Sequence, residues 1–395
     1  MGRVCISGAG PAGMTLGLLL ARKGHDVHIL ESMKDFHREF RGEVLMPLFS
    51  QMMNEVGLLE KILSADHLKL QDVQIFNEGK ALSNIRFEEI CKEFPFAIWM
   101  PQPILLQTLY DEAKQYPNFK LSFSSSIESL TRQPSHLQID IKRGIEKETI
   151  EADLVVGAEG RWSHLRKITN MELEFESYGF DIVWFELPRP ADHPRSVQGF
   201  FSKEGNFLIA PKYPDLLQCG LLMPKDAFAK MMKSGISSMK EKLIHSHSAF
   251  KNFAESLEDF SHFHVLQAKI AFAKKWAEDR VVLIGDAAHT MSPIGAIGVS
   301  IATGTAIVAA DIMDAAFASN DLSDEMLSKI QKIREQDVRR IQNFQLQAER
   351  TIQTGATWRR HIFIRLLPLL VKMGIIQRLM KSIMTLRSGW KVDSR

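Results

Sequence analysis

The chain has 395 residues, enough for two domains or one large interrupted one, with an ordinary globular composition of 45% hydrophobic and 24% charged residues. A formal net charge of +2 gives none of the basic footprint of a nucleic-acid binder. Cys5, Cys91 and Cys219 are odd in number and far apart, so neither a disulfide framework nor a zinc site is indicated.

Residues 3–7 read as a short, mostly apolar strand that leaves no room for a signal peptide, so a cytoplasmic location is expected. Gly8-Ala9-Gly10-Pro11-Ala12-Gly13 then opens a Leu-rich helix, 14–22, which stops at Gly24. A second strand, 27–30, ends on Glu31, 18 residues past Gly13. Gly8 permits a tight turn, Gly10 admits a pyrophosphate to the backbone, and Gly13 lets helix and strand pack closely. The helix N-terminus offers N–H groups to phosphate, and Glu31 can accept hydrogen bonds from ribose hydroxyls. An acid there argues against a 2′-phosphate, leaving FAD or NAD.

After Phe40-Arg41-Gly42-Glu43 an amphipathic helix is expected over 47–63. Arg41 beside Gly42 suits bidentate phosphate binding and a solvated loop equally well. Strand-like runs follow at 73–76 and 96–100, then a helix over 104–115 introduced by Pro101-Gln102-Pro103. Strands near 119–123, 127–131 and 137–141 read as a meander. A buried strand, 154–156, feeds Gly157-Ala158-Glu159-Gly160, with Arg161, Ser163 and Arg166 behind it. An acid at the carboxyl end of a parallel strand sits where α/β sheets place ligands.

From 180 to 265 the chain turns β-rich and aromatic, with a helical insert over 226–257, as if a second sheet-based domain interrupted the first. A buried strand then ends in Gly285-Asp286, followed by a Gly-rich loop through Pro293 to Gly298 and a long helix from 299. That arrangement makes an anion or ribityl site. Residues 287–310 carry no Asp, Glu, Lys or Arg and are long enough to span a bilayer, yet Pro293 and the glycines favour a buried loop and helix. His245 with His247, and His262 with His264, lack acid partners, so no metal site is expected. The segment 351–395 holds nine Lys or Arg against one acid, Asp393. Its helix over 375–386, with Ile376, Leu379, Met380 and Ile383 on one face, suits weak contact with a membrane surface or packing on its own protein, and the second is favoured.

Taken together, Gly8–Gly13 with Glu31, the turn at 157–160, and Gly285-Asp286-Ala287-Ala288-His289 followed by Pro293, Gly295 and Gly298 resemble the class A flavoprotein monooxygenases of the 4-hydroxybenzoate hydroxylase type. The resemblance implies an α/β fold: a Rossmann-like FAD-binding domain (GxGxxG) interrupted by a β-sheet substrate domain, with C-terminal helices. The corresponding ranges are 1–72, 97–178 and 266–350 for FAD, 73–96 and 179–265 for substrate, and 351–395 for the helical segment. It further implies that FAD is held by Gly8, Gly10, Pro11, Ala12, Gly13, Glu31, Ser32, Arg41, Gly42, Gln102, Glu159, Gly285 and Asp286. Pro293, Gly295, Ala296, Ile297 and Gly298 would lie against its isoalloxazine ring. Two departures stand out: Glu159 where the family carries Asp, and Ser300 where an Asn usually follows the last Gly.

In such a family NADH or NADPH reduces FAD, O2 adds to the flavin, and the C4a-hydroperoxide oxygenates a small organic substrate, usually an electron-rich ring. No side-chain acid or base is required. Arg41, His289 and Pro293 are the nearest candidates for a catalytic part, and His289 reads first as structural. Strands over 199–223 would line the substrate pocket, with Phe200, Phe201, Phe207, Lys212, Tyr213 and Gln218 as candidates. Lys212 is the only cation among these candidates, so the family's anchor for a benzoate carboxylate does not map, and an aromatic or polycyclic substrate is expected. No second GxGxxG unit marks a nicotinamide domain. Partners are expected to be the substrate and O2, with no nucleic acid and no transmembrane segment, in a monomer or homodimer. The rival readings are an FAD-dependent reductase of the geranylgeranyl-reductase kind acting on a lipid-like substrate, and a non-catalytic flavin-binding sensor.

Overall fold

The computed structural model describes residues 1–37, 44–176, 179–203, 205–353 and 357–383. Its centre is made of three short apolar runs, β1 (Arg3–Ser7), β12 (Leu154–Gly157) and β21 (Val281–Leu283), buried on both faces as parallel strands require. With β2 (Asp26–Leu30), β8 (Phe119–Ser122) and β20 (Ala277–Glu278) they form a sheet in the order β20-β21-β12-β1-β2-β8, parallel except at β20. Helix α1 (Pro11–Arg22) lies on this sheet, and Gly17 lets it approach closely: a Cβ there would meet the Ile29 side chain at 2.6 Å.

The helix expected over 47–63 is two helices, α2 (Pro47–Glu55) and α3 (Leu59–Ser64). Gly57, at φ +70°, ends the first, and the Leu58 N–H closes the turn on the Met53 carbonyl. The strand at 119–123 also leaves its expected meander. It pairs parallel to β2, and the meander consists of β9 (Ser125–Arg132), β10 (Leu137–Arg143) and β11 (Glu146–Ala152). Leu137, Ile139 and Ile141 point into the core on alternate residues, which fixes its register.

The β-rich stretch builds a seven-stranded sheet. In spatial order it runs β18 (His264–Gln267), β14 (Phe180–Pro188), β17 (Leu216–Pro224), β16 (Asn206–Lys212), β15 (Ser196–Phe201), β5 (Asp72–Asn77) and β6 (Lys80–Arg86). One face carries a separate apolar core of Phe185, Phe207, Ile209, Cys219 and Leu221. That core is roofed by α7 (Ala227–Ser234), α8 (Ile236–Ser246) and α9 (Lys251–Ser256). Two small sheets link the parts: β3 (Val44–Leu45), β7 (Ala97–Trp99) and β4 (Leu68–Leu70), and β13 (Leu173–Glu176), β19 (Ile270–Ala273) and β22 (His289–Thr290).

The remaining helices are α4 (Phe87–Ile90), α5 (Gln102–Ala113), α6 (His164–Ile168), α10 (Gly298–Ala318), α11 (Asp324–Leu327), α12 (Lys329–Gln353), α13 (Thr357–Lys372) and α14 (Ile375–Ile383). Among the described residues α10 alone is long and apolar enough to cross a membrane, and its apolar window lies mostly inside the protein, between α1, α2 and α12.

Helix α12 also buries charge. Arg334 is fully buried, with Nη1 donating to Asp337 Oδ2 (3.1 Å), while Arg340 Nη2 donates to Asp337 Oδ1 (3.0 Å). Among the described residues, Arg334 Nε and Nη2 have no hydrogen-bond partner. Removing the acid would leave that cation uncompensated. Asp337→Ala is therefore expected to lower the unfolding free energy by about 3–5 kcal/mol in urea titration. Arg334→Met, which removes charge and keeps volume, should cost clearly less. Equal losses for the two would contradict the account.

Candidate functional site

Three strand-end turns converge at one edge of the parallel sheet. Gly8, at φ +105°, closes the turn after β1, where a Cβ would come within 2.5 Å of the Ala158 carbonyl oxygen. A Cβ on Gly13 would lie 2.0 Å from the Gly8 oxygen, so α1 can start here only on glycine. Gly285, at φ +57°, presses on the Ala12 methyl, and its own Cβ would sit 3.0 Å away. Gly10 caps α1 with no side-chain partner and Pro11 follows, so the first-turn N–H groups face outward for an anion.

Glu31 is buried at the end of β2 and holds the glycine turn in place. Its Oε2 accepts from the Ala9 N–H (2.8 Å), and its Oε1 from the Met33 N–H (3.0 Å) and the Ser32 hydroxyl (3.3 Å). Gln102, the first residue of α5, is buried, and α5 packs beside α1. Arg41 and Gly42 lie outside the described residues.

Glu159 is turned toward its own chain. Its carboxylate accepts from the Ser7 hydroxyl (2.8 Å), the Ser163 hydroxyl (2.6 Å) and the Leu165 N–H (2.9 Å). The longer acid thus ties the end of β1 to the first turn of α6. Arg166 is buried, which holds its guanidinium below the usual range despite Glu159 nearby. It donates to the carbonyls of Ala287 (2.9 Å) and Arg161 (2.8 Å). Arg161 in turn reaches Asp286 Oδ2 (3.4 Å) and the Gln267 carbonyl (3.0 Å). The two arginines brace the β12 and β21 turns.

The loop from Pro293 to Gly298 is rigid for a stated reason. Gly295 stands at φ +80° and Ala296 at φ +50°, a conformation that costs a residue with a Cβ about 1 kcal/mol. What holds it is Gln345 of α12, fully buried. Its Oε1 accepts from the Ser292 N–H (2.9 Å), and its Nε2 donates to the carbonyls of Ser292 (2.9 Å) and Ile294 (2.8 Å). Gln342, one turn earlier, donates to the Ala271 and Thr290 carbonyls. Neither glutamine was identified from sequence. The signal available was a polar residue recurring on the buried stripe of α12, at 334, 337, 342 and 345. Among the described residues, Ile297 leads into α10 without a side-chain cap, and the buried Ser300 hydroxyl has no hydrogen-bond partner.

His289 is buried against Trp276, with ring centroids 4.9 Å apart. The Thr305 hydroxyl donates to the Ile301 carbonyl (3.0 Å) and so accepts from His289 Nε2–H (2.9 Å). Burial, reinforced by Arg334, pushes its pKa down to about 3. A neutral, enclosed imidazole is a packing and hydrogen-bonding group here.

The seven-stranded sheet separates the pocket candidates by face. Phe207, 2% exposed, stacks on Phe200 in the core beneath the helical roof and does not share a wall with the others. Lys212, Gln218 and Phe201 lie on the opposite face, with Trp184, Glu186 and Leu222. Gly220 leaves room for the Trp184 ring, which would meet a Cβ at 2.8 Å. Ile294 of the loop packs, as Trp184 and Leu222 do, against the buried cluster of Phe180, Ile182, Ala268 and Ile270, which joins this wall to the Pro293 segment. Trp99 Nε1 points at Gln218 Oε1, 3.5 Å away, and the Lys212 ammonium lies 5.6 Å from the Trp99 ring centroid. Lys212 is ion-paired with Glu186. Tyr213 packs against the main core next to this wall.

These residues form a dinucleotide cradle at one sheet edge and an aromatic wall facing a rigid loop. A family model described as the FAD-binding domain matches residues 1–343. A 6-methylpretetramide 4-monooxygenase of Streptomyces rimosus is 28% identical, covering 89% of this chain and 85% of its own. A probable NADH-specific resorcinol 4-hydroxylase of Rhodococcus jostii is 25% identical over 89% of this chain and 64% of its own. In fold, the crystal structure of p-nitrophenol 4-monooxygenase from Pseudomonas putida superposes with a TM-score of 0.81 at 16% identity, covering 97% of this chain and 96% of that one.

Gln345→Ala removes three hydrogen bonds to a loop in an unfavourable backbone conformation. It is expected to weaken FAD binding about tenfold, read by flavin fluorescence titration of the apoprotein. Gln347→Ala, on the exposed side of the same helix, should leave the affinity unchanged.

Proposed function

The chain belongs to the FAD-binding domain family of flavoprotein monooxygenases, and on that footing we propose that it oxygenates an uncharged aromatic or polycyclic compound. It is an FAD-dependent oxidoreductase using NADH or NADPH and O2. The readings as a lipid-directed reductase or a flavin sensor are not favoured, since its relatives are monooxygenases and hydroxylases.

The cradle fits FAD on structural grounds: glycines stand where a Cβ would collide, uncapped helix N–H groups face outward, and a buried acid closes the turn. In this reading the first turn of α1 binds the pyrophosphate, Glu31 and Ser32 meet the adenosine ribose, and Asp286 meets the ribityl region. Gln102 supports the same groove, and the backbone of Pro293 to Gly298 backs the ring system. Glu159 supports the cradle from behind through its bonds to Ser7, Ser163 and Leu165. FAD held by these residues would supply hydride acceptance from the nicotinamide and O2 activation for transfer of one oxygen atom to an electron-rich ring. The chain's own part is to position that ring and exclude water, with residues 73–96 and 179–265 forming the substrate side. We read the working state as a cytoplasmic monomer or homodimer.

The observation that carries the substrate class is the Lys212–Glu186 pair on the aromatic wall. A lysine already neutralised by an acid is a poor anchor for a carboxylate, while Trp184, Trp99 and Gln218 offer stacking surface and one amide for an uncharged ring. The names of two relatives, for 6-methylpretetramide and for resorcinol, point the same way.

NADH or NADPH consumption should rise with uncharged phenolic and polycyclic rings and stay near background with benzoates. Glu186→Gln releases the lysine charge and is expected to shift the kcat/KM ratio toward carboxylated rings about tenfold. A wild-type enzyme that prefers benzoates would overturn the reading.

A further inference from the structure

The outward face of the C-terminal helices has no role in the site, yet its composition is unusual. Along α13 and the residue that follows it, Ile362, Leu366, Leu369 and Met373 recur at spacings of four, three and four, one stripe of a helix. All four face solvent, as do Ile375 and Leu379 of α14, at exposures from 38% to 56%. These six are among fifteen exposed large hydrophobics in the described residues, gathered in a span of 18 positions. The inward faces are already satisfied. Leu367 and Ile383 are buried, and Val371, Ile376 and Met380 pack on the main core. Helix α13 rests on β6 and α4 receives α14, where Gln377 Nε2 donates to Glu89 Oε2 (2.9 Å). The stripe is therefore additional to what the fold requires.

Its borders carry one sign of charge. Arg365, Lys372, Arg378 and Lys381 are all exposed. At 100° per residue, Arg365 and Lys372 fall together beside the apolar stripe, and Arg378 beside the Ile375–Leu379 edge. No Asp or Glu occurs between 351 and 392. Glu89, the acid beside this surface, is already engaged by Arg86 and Gln377. Apolar side chains rimmed by cations with aliphatic stems complement a surface that is anionic outside and apolar just beneath. A second copy of the same face would set cation against cation, which disfavours a symmetric dimer through it.

We propose that α13 and α14 dock the enzyme on the surface of an anionic lipid bilayer, with the stripe seated among acyl chains and the basic residues among headgroups. The contact is peripheral and reversible, since neither helix spans the membrane.

The test is co-sedimentation of the FAD-loaded, full-length protein with vesicles of phosphatidylcholine alone or mixed with phosphatidylglycerol. Binding is expected to the mixed vesicles and not to the neutral ones, weakening as salt rises. Leu366→Glu with Leu369→Glu should cut binding about tenfold or more while FAD content and NADH oxidation in the absence of vesicles stay unchanged. Arg365→Gln with Lys372→Gln, at exposed positions with no packing role, should weaken the preference for anionic lipid. Absence of binding to mixed vesicles, or equal binding by all variants, would overturn the proposal. So would sedimentation velocity showing a dimer that the Leu366 and Leu369 substitutions dissociate.

Discussion

Everything in the site depends on how closely three strand ends can approach one another. Gly8 lies against the Ala158 carbonyl and Gly13 against the Gly8 carbonyl, each at a separation that excludes a Cβ, and Gly285, at positive φ, sits close against Ala12. Such contacts bring the ends of β1, β12 and β21 to one edge and leave the N-terminus of α1 uncovered. Two carboxylates then lock the arrangement. Glu31 receives the Ala9 N–H, and Glu159 bridges Ser7 to α6. The cradle is rigid because its hydrogen bonds are made within the chain, so no reorganisation is needed when an anion arrives.

A second constraint acts from the opposite end of the sequence. Helix α12 packs on α10 and reaches the loop after His289 through Gln342 and Gln345. The loop's left-handed Ala296 is tolerated because Gln345 fixes the residues before it on both donor and acceptor sides. The same helix carries the buried Arg334–Asp337 pair, whose desolvation is a cost the apolar packing around it must offset. Loop, α10 and α12 therefore act as one block joined to the aromatic wall of the second sheet through the cluster of Phe180, Ile182, Ala268 and Ile270, on which Ile294, Trp184 and Leu222 all pack.

Local chemistry was legible in the sequence; long-range pairing was not. The Gly8–Gly13 turn, the buried Glu31 and the Gly285-Asp286 strand end could be read as local structure because each depends on neighbours a few residues away. The single helix expected over 47–63 missed the break because apolar spacing continues through Gly57, whose positive φ is a property of the backbone alone. The strand at 119–123 was grouped with its sequence neighbours, whereas burial against β2 draws it into the parallel sheet. Phe207 and Lys212 were treated as one wall. In a strand their separation of five residues puts them on opposite faces, and aromatic content alone does not say which face meets the loop. Gln345 stands 53 residues from Ser292, beyond the reach of any local pattern.

The most direct test of the account is mass spectrometry of the product formed from an uncharged phenolic ring under isotopically heavy dioxygen, with NADH or NADPH as reductant. The account predicts a product carrying a single heavy oxygen atom, formed in step with reductant consumption by the FAD-loaded enzyme. A product without the heavy isotope, or a substrate reduced with no oxygen gained, would contradict it.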